Sequence, residues 1–321
     1  MRDKYYDILF CEYEKLNADR PDVYKMSFDE VIMRLKKLFS KADFSDAPSE
    51  KKIATAINWL HDGDALMKYY NAFKTHDMEM LNDILYETTH LLQMCNISST
   101  GTDHSYYGLR ITPNLLAANM MDRVKLLLPE DNGVSTSSYI GVAIANLLMG
   151  IIYDSPKLKE DSLKLCEKQL DKKIAKYYRL YIECMIAVLK CDYDEFNNKI
   201  NLFCKAYTGA REYDMNGFNR RFCIEAHGMY NLAKYAYNGA MKEKIALPAA
   251  DNFCQDLAVW QEEHDCRQGK IYYNYPEELD FYNRLMKCQP VTMHLIKNGR
   301  SRCIDTGRYL KELIENNELV L

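Results

Sequence analysis

Apolar residues recur at three- and four-residue intervals along most of this chain, the spacing of one helix face rather than the alternation of a strand. The pattern is clearest between Asp171 and Trp260. Ile174, Tyr178, Tyr181, Met185 and Val188 predict one helix with a wide apolar face. Asp192, three residues before Glu195, predicts a capping box opening a second helix, whose buried stripe is Phe196, Ile200, Phe203 and Tyr207. The link between them is short, so the two helices are expected to pack antiparallel.

The same reading extends to the rest of the chain. Asp3 to Asn17 predicts an amphipathic helix ended by the Asn-Ala-Asp-Arg-Pro turn. Ser27 and Glu30 cap a second, with the stripe Val31, Leu35 and Leu38. Pro48 suits the first turn of a third, carrying Ile53, Ile57, Leu60 and Met67 onward to Phe73, with Asp77 to Leu92 as its partner. Lys74-Thr-His-Asp77 and Lys190-Cys-Asp192 share one design: a basic helix end, a tight turn and an acidic helix start, each suited to the helix dipole. Tyr139 to Tyr153 is uncharged but shorter than the ~18 residues of a membrane span, and reads as a central core helix.

Further helix starts fall near 113, 137, 156, 171, 218, 248 and 276, with Leu247-Pro248 opening one of them. Their spacing is uneven and the tetratricopeptide pattern, with a period of about 34 residues, is missing. The expected fold is all-α, an irregular α-solenoid or a bundle of stacked antiparallel helical hairpins. Gly and Pro number 21 where average usage gives about 39, in keeping with long helices and short turns, and no convincing strand pattern is found. Three polar stretches interrupt the helices: Ile97–Thr112, Leu128–Ser138 and Glu262–Glu278. The second is the softest point, but helices on both sides equally lack a covered face, so the chain reads as one domain, 1–321.

The net charge of −4 speaks against a nucleic-acid binder. Eleven cysteines, an odd number without a Cys-x-x-Cys pair, suggest free thiols in a reducing cytoplasm rather than a disulfide framework or a metal site. The N-terminal stretch carries acids among its apolar residues and does not read as a signal peptide. No phosphate loop, His-Glu-x-x-His or Gly-x-Ser-x-Gly motif occurs. Among the seven dispersed histidines the eye-catching local sets are His61-Asp-Gly-Asp64 and Glu225-Ala-His227, and both read as packed or surface pairs. No catalytic, cofactor-binding or metal-ligating residue is assigned.

Tyrosine is the compositional excess, 25 residues against 11 Phe and 2 Trp. Most lie on helical stripes, but Tyr106, Tyr107, Tyr213, Tyr272, Tyr273 and Tyr275 fall in predicted loops, accompanied by Arg110, Arg211, Arg220 and Arg221. Tyr and Arg dominate binding hot spots. From Asp251 to Asp280 eight acids face only Arg267 and Lys270, with Trp260 and three tyrosines among them. Trp260, Glu262, Glu263, Asp265, Tyr272, Tyr273 and Tyr275 are therefore the first candidates for a partner-binding face. Tyr106, Tyr107 and Arg110 are the second.

From about Lys172 to Trp260 the chain resembles the bacterial immunity-protein family numbered forty-nine. The residues that carry the likeness are the Tyr177-Tyr178 helix leading to Asp192-Tyr-Asp-Glu-Phe196, and the Glu225-Ala-His227-Gly-Met-Tyr-Asn-Leu-Ala233 helix ending at Asn238-Gly239. Leu247-Pro248 followed by Phe253, Leu257 and Trp260 completes it. This covers less than a third of the chain, and the first half matches only in being helical. The resemblance implies an all-α, non-enzymatic protein that binds and neutralises a cognate protein toxin, with no cofactor, nucleic acid or membrane. A toxin with a basic, anion-binding cleft is the complement of the acidic face. A helical-repeat adaptor or regulator of another protein is the alternative expectation. An enzyme acting on the toxin's product is a third, which a deep pocket of converging polar groups would reveal.

Overall fold

The computed structural model describes residues 2–19, 27–42, 48–60, 65–97, 107–137, 139–211, 216–237, 239–298 and 301–321. Among them the chain is carried by helices: α1 (Arg2–Asp19), α2 (Phe28–Lys41), α3 (Ser49–Trp59), α4 (Ala65–Thr75) and α5 (Met78–Ile97). A π-turn, Tyr107–Ile111, runs into α6 (Thr112–Ala117) and is followed by α7 (Met121–Leu127), α8 (Ile140–Ile152) and α9 (Pro156–Leu170). Then come α10 (Lys176–Leu189), α11 (Tyr193–Tyr207), α12 (Gly217–Arg221), α13 (Ile224–Ala236) and α14 (Gln255–Glu263). The C-terminal part holds α15 (Asp280–Lys287), a β-hairpin of β1 (Leu295–Asn298) and β2 (Ser301–Ile304), and α16 (Thr306–Asn317). The all-α class is as the apolar spacing predicts. The hairpin is a small departure, with Leu295–Asn298 paired antiparallel against Ser301–Ile304.

The chain divides into two compact units that interleave in sequence, Met1–Tyr13 with Asp103–Arg267, and Glu14–Thr102 with Gln268–Leu321. The polar run 128–138 lies inside the first unit, so it is not the point where the chain divides. It is ordered from outside: the buried core residue Asn146 accepts the Ser135 N–H at 2.9 Å and donates to the Ser135 carbonyl at 2.8 Å. Ser138 itself lies outside the described residues.

The first unit is built around α8, where every residue from Gly141 to Ile152 is buried, as an uncharged helix requires. It packs on α9, α10 and the π-turn, and Gly108 approaches so closely that an added Cβ would meet the Gly141 carbonyl oxygen at 2.0 Å. α10 and α11 form the expected antiparallel hairpin, with Phe196, Ile200, Phe203 and Tyr207 all buried. The face of α10 differs from the prediction. Its helix begins at Lys176, which leaves Ile174 outside and half-buried, and Tyr178 is half-buried too. Tyr177, Tyr181, Cys184, Met185 and Val188 face inward instead, joined by Leu180, Ile182 and Ala187, because α8, α11 and α13 enclose α10 on several sides.

In the second unit the stretch from Ile53 to Phe73 is two helices rather than one. α3 ends where Leu60 caps it, and α4 starts at Ala65. α4 and α5 then pair as α10 and α11 do. The two turns match in detail. His76 and Cys191 are both left-handed, with φ of 55° and 56°. Asp77 N–H reaches back to Ala72 O at 3.1 Å, and Asp192 N–H to Ala187 O at 2.9 Å, the double-bonded helix end that such a residue permits. Each Asp then caps the next helix, Asp77 accepting from Met80 N–H and Asp192 from Glu195 N–H. Ser27 and Glu30 form the complete capping box of α2.

Extended segments recur, held by side chains of helices instead of by strands. Asn197 donates to Lys244 O at 2.8 Å and accepts Ala246 N–H at 3.0 Å, while Asn201, one turn on, accepts Ala249 N–H at 2.9 Å. This is why Leu247-Pro248 opens no helix: residues 245–250 lie extended along α11, and the helix waits until Gln255. In the second unit Asn283 pairs in both directions with the Tyr275 backbone, and Asn317 with that of Gln289. A carboxamide presents N–H and C=O side by side, so Asn197, Asn283 and Asn317 each pair with extended backbone as a neighbouring strand would.

Candidate functional site

The helix Gln255–Glu263 brings together the strongest surface group of the first unit. Trp260 and His264 stand one turn apart at the end of this helix, and the turn that follows brings Arg267 to the same ring. The His264 ring stacks on Trp260 at 4.2 Å between centroids and 18° between planes, and the Arg267 guanidinium lies 5.1 Å from the Trp260 ring. His264 Nδ1 is 2.8 Å from Trp260 O, so that nitrogen carries the hydrogen. The helix ends abruptly with Asp265 and Cys266 both left-handed, and Cys266 N–H bonds back to Gln261 O at 2.7 Å. Trp260 is half-buried, while Glu262, Glu263 and Asp265 are exposed.

The three acids are not equivalent. Glu262 is tied to its own fold, accepting from the buried Tyr230 hydroxyl and pairing with Lys234 at 3.2 Å. Glu263 and Asp265 are the exposed charges beside the Trp260 stack. Trp260 and the acids are legible in the sequence, and the four-residue spacing of His264 was the available signal for the stack, whereas Arg267 reaches the ring only through the turn after Glu263.

The remaining first-choice candidates, Tyr272, Tyr273 and Tyr275, belong to the second unit, so the expected face is two sets of residues. Here residues 268–275 form a strap along α5. Glu87 Oε2 accepts the N–H groups of Tyr272 and Tyr273 at 2.7 and 2.8 Å, and its Oε1 meets Lys68 Nζ at 2.8 Å. One turn earlier Asp83 accepts Lys270 N–H at 3.1 Å. Gly269 passes so near that a Cβ would lie 2.6 Å from Asn82 O, which leaves no room for a side chain. Tyr273 packs on Phe28 at 4.4 Å and lies 4.2 Å beneath Lys68 Nζ, and Tyr275 packs on Phe28 and Tyr282. Tyr273 and Tyr275 are thus half-buried parts of this clamp, and Tyr272, 41% exposed, is the tyrosine of the three that reaches solvent.

The second set of candidates changes more. Tyr107 is wholly buried and serves the core, because the π-turn extends the helical path upstream of Thr112. Arg110 on the same turn is exposed, and Tyr106 lies outside the described residues. Tyr213 and the set His61–Asp64 lie outside them as well.

Glu225-Ala-His227 sits at the start of α13. Glu225 is half-buried as a residue, yet the buried Tyr207 hydroxyl donates to its carboxylate at 2.7 Å. Burial raises its pKa above the usual carboxylate range, opposed by that hydrogen bond and by the positive field of Arg110. His227 is fully buried and stacks on Phe253 at 4.1 Å, and its Nε2 accepts Cys254 N–H at 3.1 Å. Burial pushes its pKa down to about 3. The ring therefore pins the segment before α14 to α13, a structural duty.

That pinning has a pH signature. The unfolded chain takes up a proton near the ordinary pKa of 6.5, while the folded one resists until about 3. Stability from this residue is complete above 6.5 and falls as pH drops through that window, by about 1.4 kcal/mol per unit. His227→Gln, which keeps an acceptor for Cys254 N–H, should flatten this limb in urea titrations between pH 6 and 4. Parallel curves for the two proteins would show that His227 does not control it.

Ten cysteines are free thiols among the described residues. Burial pushes Cys204 and Cys254 up to about 12, far from the thiolate that reactivity needs. No group of three or more His, Cys, Asp or Glu able to hold a metal ion occurs among the described residues, and none of their helices is long and apolar enough to cross a membrane. Comparison with family models, curated proteins and solved structures finds no match to the chain.

Proposed function

We propose that this chain is a cytoplasmic, non-enzymatic binding protein, the immunity partner of a bacterial toxin, which it neutralises by covering the toxin's active site. The reading rests on the resemblance across Lys172–Trp260, and one observation carries it further. That observation is the preassembled Trp260–His264–Arg267 stack, flanked by the exposed carboxylates of Glu263 and Asp265. A rigid aromatic anchor that is already ordered loses little entropy on binding, and surrounding acids steer a basic cleft toward it.

The test is co-expression with the product of the neighbouring reading frame, followed by kinetics on the purified pair. Trp260→Ala should lose at least about 2 kcal/mol, mainly through faster dissociation. Glu263→Lys with Asp265→Lys should slow association, and added salt should reduce the difference. Glu262 is left unchanged because its loss would strip Tyr230 and Lys234 of a partner. Failure of the neighbouring product to bind, or wild-type kinetics in both variants, overturns the assignment.

A further inference from the structure

The ring of His264 has one face committed and one to spare. Trp260 stacks against it at 4.2 Å between centroids, and its Nδ1 is held by Trp260 O at 2.8 Å. Turning the imidazole would break both contacts, so the ring is fixed in place although the residue is exposed. The stack already tolerates a guanidinium, since Arg267 lies 5.1 Å from the Trp260 ring.

Glu263 and Asp265 stand on either side of His264 in the chain. Both are exposed, and neither forms an ion pair among the described residues. Glu262, by contrast, is tied to Tyr230 and Lys234. The backbone beneath the two free carboxylates is set by the helix before them and by its closing turn. In that turn Asp265 and Cys266 are left-handed, and Cys266 N–H bonds back to Gln261 O at 2.7 Å.

A fixed aromatic face between free carboxylates suits one side chain above the others. An ammonium group is compact and strongly hydrated, so it pairs with a carboxylate but gains little from a ring. A guanidinium is planar and weakly hydrated. It stacks on an aromatic face and offers carboxylates a fork of N–H donors at the same time. We propose that this site receives an arginine side chain of a protein partner. The guanidinium lies on the outer face of His264, and its N–H groups pair with the carboxylates that flank the ring. This rests on the reading of the Trp260 stack as the partner-binding anchor, and not on the partner's being a toxin. A nucleotide base can stack on the same ring, but its phosphate meets two like charges there.

The full-length chain is titrated at about pH 8, above the usual histidine range, with two peptides of equal charge. These are acetyl-Gly-Arg-Gly-Arg-Gly-amide and acetyl-Gly-Lys-Gly-Lys-Gly-amide, with binding read from the ring-proton resonances of His264 and from tryptophan emission. The arginine peptide should bind about three- to five-fold more tightly, the gain expected of a guanidinium–ring contact at an exposed site. His264→Ala should abolish that preference and leave the lysine peptide unchanged. Glu263→Gln with Asp265→Asn should weaken both peptides, most at low salt. Equal binding of the two peptides, an arginine preference that survives His264→Ala, or His264 resonances that neither peptide moves would overturn the assignment. So would tighter binding of adenosine monophosphate, or a dimer of the chain that His264→Ala dissociates. If the neighbouring product fails to bind while the arginine preference holds, the toxin reading falls and this one stands. If that product binds and the peptides are not distinguished, the reverse is true.

Discussion

Replacing Glu87 by Ala should cost at least about 3–5 kcal/mol, the range for breaking one side of a buried ion pair. Lys68 and Glu87 are 6% and 7% exposed, so removal of the carboxylate takes the counter-charge at 2.8 Å from a buried ammonium group. The Tyr272 and Tyr273 amides lose their acceptor at the same stroke. Each such orphaned donor adds about 1–3 kcal/mol. The intact pair is a different matter: desolvation of both charges offsets much of their attraction. Lys68→Met combined with Glu87→Gln, which retains an acceptor without a charge, should therefore lose less than Glu87→Ala alone. Urea titration of the three proteins checks this. A loss below about 1 kcal/mol for Glu87→Ala would show that the strap is held by other means.

Phe203→Ala should cost about 3–5 kcal/mol through lost burial and the cavity left behind. The ring is fully buried between α10 and α11, edge-on to Tyr181 at 5.5 Å and tilted against Tyr207 at 5.4 Å. Coupled truncation of Tyr181 should be less than additive by about 0.5–1.5 kcal/mol, the worth of such an aromatic pair. A denaturant midpoint that hardly moves in Phe203→Ala would place the energetic centre of the hairpin elsewhere.

Features made by neighbours in sequence were legible: the caps at Ser27, Asp77 and Asp192, the stripe from Phe196 to Tyr207, and the apolar helix from Ile140. Features made across sequence were not. Residues 245–250 carry a helix-start signal in Leu247-Pro248, and nothing local says that Asn197 and Asn201 hold them extended. The burial of Tyr107 depends on a π-turn packed against Gly141, two glycines that meet only in three dimensions. The candidate face spread over two units for a similar reason. Arg267 and Gln268 are neighbours in sequence and belong to different units, yet composition does not change between them. Trp260 and its acids were found because charge and aromaticity can be read singly, whereas the roles of Glu262 and Tyr273 depend on distant Tyr230 and Lys68.

The interleaving of the two units bears on synthesis. As the chain leaves the ribosome, Met1–Tyr13 emerges first and Glu14–Thr102 next, followed by the 165 residues from Asp103 to Arg267 that complete the first unit. At about 5–20 residues per second, the α4–α5 pair waits on the order of ten seconds for the strap that Glu87 will hold. During that interval Glu87 is a nascent carboxylate with none of its Tyr272 and Tyr273 donors yet made. The two units are thus synthesised in alternation, and the first has all its residues before the second can close.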